Sequence, residues 1–310
     1  MPGFRNGTIR LFRLAGIDVF LHWSWFLVAA YEIRVRSGTY SSITWNVLEY
    51  LSLFLIVTMH EFGHELACRQ VGGTANRIVL WPLGGVAYVE PPPRPGATLW
   101  SIAAGPLVNV ALVPILTVVL FLGRSLGWAQ TMPDAYALLR SIWVINLSLL
   151  IFNMLPIYPL DGGQVLRSLL WFVIGRGRSL MAVTVIGFAG VVAIIGFAIW
   201  RQSLWFGVLS VFVLSNCWKG LQHARGLLRL AKLPRREGFS CPCCHAAPPL
   251  GNFWKCSQCS QPFDTFQTQA SCPHCATRFP VTRCLDCGRT YPMNEWMVPV
   301  LVRTVGANLA

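Results

Sequence analysis

Charge is what this sequence has least of. Only 12% of its 310 residues are Asp, Glu, Lys or Arg, and only 12 residues are acidic. A soluble domain keeps about a quarter of its residues charged, so a wholly water-soluble protein is excluded. Hydrophobic residues make up 54% and mean hydropathy is +0.53, which calls for lipid as the solvent of much of the chain. Cysteine is nearly missing from the apolar part, where only Cys68 and Cys217 occur; nine of the eleven cysteines follow residue 219, among basic residues and prolines. The expected organisation is a membrane domain over 1–218, a basic juxtamembrane linker over 219–238 and a cysteine-rich region over 239–310.

Apolar runs predict spans at roughly 18–33, 45–68, 99–122, 137–160, 180–200 and 203–218. The net charge of +13 raises nucleic acid as a partner, but its distribution follows the positive-inside rule. With the N-terminus inside, the cytoplasmic segments hold Arg5, Arg10, Arg13, Arg69, Arg77, Arg94, Arg167, Arg176, Arg178 and six Lys/Arg from Lys219 to Arg236. The outer side holds Arg34, Arg36, Arg124 and Arg201, with Arg140 near a boundary. Both termini are therefore expected in the cytoplasm. A cleaved signal ending near Val28-Ala29-Ala30 is the alternative for the first span; it would leave the orientation of the second unchanged.

The second span ends in Val57-Thr-Met-His60-Glu61-Phe-Gly-His64-Glu65-Leu-Ala67. Residues four apart on a helix share a face, so His60 and His64 can reach one metal ion, with Glu61 beside them as a general base. This is the H-E-x-x-H zinc pattern. The pattern is short and arises by chance, but a charged side chain near mid-membrane costs at least ~2.5–3.5 kcal/mol and usually lines a site. Glu65 lies off the ligand face and reads as an interface or supporting residue.

The helix lacks a third ligand: nothing in Leu66–Arg77 offers one at helical spacing. It must come from another span. Asp161 follows Pro156 and Pro159 and precedes Gly162 and Gly163, residues that interrupt a helix and free backbone groups, which membranes tolerate only beside protein or a wet cavity. The second and fourth spans run in the same direction, so His60, His64 and Asp161 fall at similar depth near the inner leaflet. Read alone, Asp161 would be a helix cap.

These residues resemble the site-2 proteases, intramembrane zinc metalloproteases. The matching pieces are His60-Glu61-Phe62-Gly63-His64, Asn153-x-x-Pro156-x-x-Pro159-Leu160-Asp161-Gly162, and Gly105-Pro106-Leu107-Val108-Asn109; Pro82–Glu90 is similar to the family's membrane hairpin. The resemblance covers about residues 10–218. It implies one catalytic zinc on His60, His64 and Asp161, Glu61 as base, and Asn153 holding substrate or the developing oxyanion. Met154 departs from the residue many relatives carry, and neither a PDZ insertion nor a nucleotide-binding regulatory domain is evident. Gly105 and Asn109 suit close helix packing and an interhelical hydrogen bond and receive no chemical role. Val79–Glu90 reads as a short hairpin or a plain cytoplasmic loop; the resemblance implies the hairpin, whose edge could accept an unwound substrate as an added strand, with Pro91–Pro95 stiffening the path onward.

The tail holds four C-x-x-C knuckles: Cys241/Cys244, Cys256/Cys259, Cys272/Cys275 and Cys284/Cys287. Two sets of four thiolates would bind two structural zinc ions. Sequential pairing is the simplest, interleaved pairing is open, Cys243 is left over, and His245 and His274 are alternative ligands. A reducing cytoplasm favours metal over disulfides. Lys255, Arg278, Arg283 and Arg289 are few, so a protein regulator is favoured over nucleic acid as the ribbons' partner. Lys219–Arg236 reads as a segment facing anionic lipid.

The expectation is an all-α polytopic membrane protein of about six transmembrane helices, with a small β-hairpin insertion and two four-cysteine zinc-ribbon modules, in a prokaryotic cell membrane. Its expected activity is zinc-dependent hydrolysis of peptide bonds within or beside transmembrane segments. A catalytically silent scaffold that docks partners through its ribbons is the alternative, disfavoured by the intact His60, Glu61, His64 and Asp161. A transporter would show two symmetric halves with broken helices, and no such repeat is present.

Overall fold

A computed structural model of the chain describes residues 7–36, 38–81 and 84–297. Arg5 and the hairpin residues Pro82 and Leu83 lie outside them. The elements in chain order are β1 (Thr8–Leu14), β2 (Ile17–His22), α1 (Ser24–Val35), α2 (Ile43–Gln70), β3 (Thr74–Trp81), β4 (Gly84–Glu90), α3 (Pro95–Ser125), α4 (Trp128–Thr131), α5 (Pro133–Asn153), α6 (Asp161–Ile174), α7 (Arg176–Arg201) and α8 (Leu204–Ala231). Four two-residue strands follow: β5 (Trp254–Lys255), β6 (Pro262–Phe263), β7 (Thr282–Arg283) and β8 (Thr290–Tyr291). The chain divides into two compact units, 1–222 and 223–310.

Among the described residues five helices are long and apolar enough to cross a membrane: α2, α3, α5, α7 and α8. This is an integral membrane protein. The sixth span expected at 18–33 is replaced by β2 and by α1, whose 12 residues reach only about 18 Å at ~1.5 Å per residue, short of a ~30 Å hydrocarbon core. The reason lies in the alternation of Ile17, Val19 and Leu21 with Asp18, Phe20 and His22. A period of two buries one face of a strand, and Ile17 and Val19 are wholly buried with Leu21 at 8% exposure. Their hydropathy serves a sheet, not a lipid-facing helix.

The expected hairpin insertion is likewise larger than anticipated. The sheet has four strands in the order β1-β2-β3-β4, with β1/β2 and β3/β4 antiparallel and β2/β3 parallel. A left-handed pair, Ala15 and Gly16 at φ 50° and 75°, turns β1 into β2. Because β2 leads into α1 and α2 leads into β3, the two helices form an out-and-back excursion from one sheet. Ile17, Val19, Leu21, Ile78 and Leu80 pack with Trp25 and with Val57 of α2 into one apolar cluster. The Tyr50 hydroxyl donates to the Trp25 carbonyl at 2.9 Å, tying α1 to α2.

The second unit is built on an aromatic core of Trp254, Phe263, Phe266 and Trp296 together with cysteines of all four knuckles. The knuckles are nested, not sequential: Cys241 and Cys244 meet Cys287 and Cys284, and Cys256 and Cys259 meet Cys275 and Cys272. The inner pair is separated by a short loop and closes first along the chain, and the Trp254 indole donates to the Arg283 carbonyl at 2.9 Å, locking inner group to outer. The two four-cysteine groups thus share one core.

In the segment 219–238, α8 runs to Ala231, and Arg235 and Arg236 bind acids of the second unit. Arg235 forms a two-pronged pair with Asp286 at 2.7 and 3.1 Å, and Arg236 reaches Asp264 at 2.6 Å. Asp264 is 3% exposed and also accepts from the backbone N–H groups of Gly251, Phe266 and Gln267. Those three donors remain when the arginine is removed. Arg236→Ala should therefore destabilise the cysteine-rich unit by only about 1–3 kcal/mol, and Asp264→Ala, which also strands the backbone donors, by more; thermal unfolding of the two variants tests the order.

Candidate metal centre

α2 and α3 approach closely because both carry glycine at the crossing. A Cβ added to Gly63 would stand 2.7 Å from the Ala104 carbonyl oxygen, and one added to Gly105 would overlap the His64 imidazole. Gly105 therefore provides the room in which His64 lies, a sharper role than the helix packing expected of it. Facing the same space, α5 ends at Asn153 and α6 begins at Asp161. The intervening loop, with a cis Tyr158–Pro159 bond, folds back so that Gly162 packs on the Met154 carbonyl. Ile157 and Tyr158 pack against Val191, Leu209, Val213 and Cys217 of α7 and α8, and the Cys217 thiol donates to the Tyr158 carbonyl at 3.1 Å. That socket sets Asp161. The Cys68 thiol likewise donates to the Thr74 carbonyl at 3.6 Å, and both thiols are wholly buried.

His60, His64 and Asp161 meet. The His60 and His64 Nε2 atoms are 3.1 Å apart, and Asp161 Oδ2 lies 3.0 Å from the first and 3.5 Å from the second. His60 and His64 are 3% and 5% exposed. His64 Nδ1 donates to the Ser101 carbonyl at 2.9 Å, which leaves its Nε2 as a lone pair in the neutral ring. His60 Nδ1 donates to Asn109 Oδ1 at 2.6 Å, with the same consequence. With both rings neutral and protonated at Nδ1, two lone pairs and a carboxylate converge, the donor set that a cation takes up. Ligands about 2.0–2.1 Å from a tetrahedral zinc lie about 3.3 Å from one another, so donor type and spacing both fit zinc. Asn109 and Asn146, wholly buried, were not assigned to the site by motif reading; their signal was an asparagine in each of two apolar runs.

A cavity of about 1230 Å³ opens on this cluster. Glu61 and Asn153 line it beside the three ligands, and apolar walls come from Trp25, Val57, Leu149, Phe152 and Phe206. Glu61 is 5% exposed and Glu65 wholly buried. Asn216 of α8 and Gln164 of α6 also face the cavity.

In the second unit the paired thiols are 3.6–3.7 Å apart, against about 3.8 Å between thiolates around a tetrahedral zinc. The groups Cys241–Cys244–Cys284–Cys287 and Cys256–Cys259–Cys272–Cys275 each place their ligand atoms within 4.8 Å of one another. The Thr277 hydroxyl beside Cys275 holds that thiol down to about 6 and the hydrogen bond from Cys284 holds Cys244 down to about 5, while Cys259, Cys284 and Cys287 of the same groups are pushed up, so a metal that takes four thiolates must displace protons. Cys243, His245 and His274 belong to neither group.

A family profile described as "Peptidase family M50" matches residues 49–136 and 129–197. The chain is 32% identical over 211 residues to "Zinc metalloprotease MJ0392" of Methanocaldococcus jannaschii, across 67% of this chain and 59% of that one. It is 29% identical over 246 residues to "Putative zinc metalloprotease sll0528" of Synechocystis, across 72% and 62%. The chain thus spans about three fifths of the length of these curated relatives. Among solved structures, "Site-2 Protease from Methanocaldococcus jannaschii" superposes with a TM-score of 0.52 at 30% identity, covering 69% of this chain and 95% of that one.

The Gly105 geometry makes a contrast. Gly105→Ala should displace His64 and weaken metal binding at this centre at least about tenfold, with the cysteine-bound metal kept. Gly96→Ala, whose Cβ would meet only Phe172 at 3.7 Å, should bind as the parent does. Metal content per chain after mild chelation distinguishes them.

Proposed function

The chain belongs to the site-2 proteases of peptidase family M50, and on that premise we propose that it is an intramembrane zinc-dependent endopeptidase, cutting peptide bonds within or beside transmembrane segments of membrane proteins. The observation that carries the reading is the convergence of His60, His64 and Asp161 at the wall of a cavity that also holds Glu61 and Asn153.

His60, His64 and Asp161 would hold one catalytic zinc. When bound there, zinc supplies a Lewis acid that acidifies water and polarises the scissile carbonyl. Glu61 takes the proton from the attacking water and delivers it to the leaving amine as the C–N bond breaks, so the proton balance closes on one carboxylate. Asn153 offers its amide N–H to the carbonyl oxygen as charge develops on it. The apolar walls exclude bulk water and receive side chains of a substrate taken from the bilayer.

A transmembrane helix hides its peptide groups in its own hydrogen bonds, so the substrate must be unwound before it is cut. β4 is the last strand of its sheet, and its outer edge offers backbone partners to an extended segment. Val89 of this strand and Trp81 of β3 line the cavity, which leads a strand added there toward Glu61. The arginine distribution supports a cytoplasmic location for the sheet, the histidine end of α2 and both termini, in a prokaryotic cell membrane. The two cysteine groups would hold two structural zinc ions, and the compact unit they staple would contact a protein regulator.

Glu61→Gln should retain all its zinc and lower cleavage of a single-pass membrane substrate by at least about 10²-fold; Asp161→Ala should lose both cleavage and one zinc per chain. Cleavage that survives Glu61→Gln would remove the base from this mechanism.

A further inference from the structure

Behind His60 runs a chain of buried amides whose polarity is set at its far end. A backbone carbonyl can only accept. The atom of Asn146 that faces the Asn109 carbonyl at 3.0 Å is therefore its amide nitrogen. The other side of that amide is then its oxygen, and this accepts from Asn109 Nδ2 at 2.8 Å. With its nitrogen committed to Asn146, Asn109 turns its oxygen to His60 Nδ1 at 2.6 Å. The ring nitrogen opposite that oxygen must carry the proton, and a neutral imidazole has only one. Nε2 is left as a lone pair, aimed at Asp161 and His64.

We propose that Asn146 of α5 is a positioning residue for the metal centre: it touches none of the three ligands, but by fixing the orientation of the Asn109 amide it selects the tautomer of His60 that can bind metal. The inference rests on the reading of His60, His64 and Asp161 as zinc ligands. Turned over, the Asn109 amide would present N–H groups to Nδ1, drive the proton to Nε2 and place it where the metal belongs. Asn109 and Asn146 are wholly buried and His60 is 3% exposed, so bulk water does not reach the amide pair. His64 needs no such device, because its Nδ1 faces the Ser101 carbonyl, whose polarity cannot invert. One ligand is thus oriented by backbone and the other by a side chain that needs orienting itself, and outer partners of this kind typically govern 10–100-fold in metal affinity.

The test uses the full chain with histidine labelled in ¹⁵N; six histidines keep the spectrum assignable. In the zinc-stripped protein His60 should be the Nδ1–H tautomer, and a His60 protonated at Nε2 overturns the proposal without any variant. Zinc binding is then compared by chelator competition, with His60→Ala identifying which equivalent belongs to this centre. Asn146→Ala should weaken that equivalent about 10–100-fold and leave the cysteine-bound zinc unchanged. In Asn109→Asp both side-chain oxygens accept, so orientation no longer matters to His60, and because the second oxygen would then face the Asn146 oxygen, Asn109→Asp/Asn146→Ala should bind zinc at least as tightly as Asn109→Asp alone. A loss that persists in the double variant means that Asn146 acts through helix packing only, and unchanged affinity in Asn146→Ala means that it does not act at all; either overturns the proposal. A His60→Ala protein that keeps all its zinc sinks the ligand reading instead, and this inference with it.

Discussion

The convergence of two imidazoles and a carboxylate in a buried pocket is the constraint around which the membrane unit is arranged. Two imidazole lone pairs and a carboxylate stand 3.0–3.5 Å apart, and in a medium of low dielectric such a cluster is held together only by a cation or by the rigidity of its surroundings. The surroundings are closely packed. α2 and α3 close on each other through Gly63 and Gly105, the sheet anchors α1 and α2 at one end, and α7 and α8 clamp the loop that delivers Asp161. Each ligand comes from an element held on more than one side.

The bilayer sharpens the same logic for the backbone. A break in a spanning segment exposes carbonyls and amides that hydrocarbon cannot satisfy. The Met154–Leu160 loop is such a break, and it lies against protein: the Cys217 thiol takes up one carbonyl and Gly162 allows the chain to fold back over another. The break is also what makes the site. Continuous helices would keep α5 and α6 side chains on fixed faces, whereas the loop lets Asp161 begin a new helix pointing at α2, with Asn153 at the end of the previous one. Pro156 and Pro159 thus serve the architecture and the chemistry together.

The cysteine-rich unit solves a different problem. It has too few apolar residues for an independent core of ordinary size, and its aromatic residues gather around the thiols. Nesting lets two metal-sized clusters share that core, and the Arg235–Asp286 and Arg236–Asp264 pairs fasten the preceding segment to it. Basic residues that read as lipid contacts on composition alone are here divided: two are spent on internal acids, while Lys219, Arg225, Arg229 and Lys232 remain on the surface of α8 and its end.

What the sequence determined by itself is whatever follows from local geometry. His60 and His64 share a face because a helix repeats every ~3.6 residues, the knuckles are chelating because two cysteines three apart can bind one ion, and scarcity of charge over long runs demands a membrane. Period two in Ile17–Leu21 was equally legible as a strand, yet its hydropathy read as a span, because composition does not say whether lipid or protein covers an apolar face. Only the tertiary structure decided which distant groups meet. Cysteine spacing is the same for nested and sequential pairing, Asp161 alone looks like a helix cap, and nothing local joins Asn109 to His60 or Asn146 to Asn109. Those contacts arise where elements far apart in the chain pack against one another, and there the polarity of a hydrogen bond is set by the partner across the interface and not by neighbours in sequence.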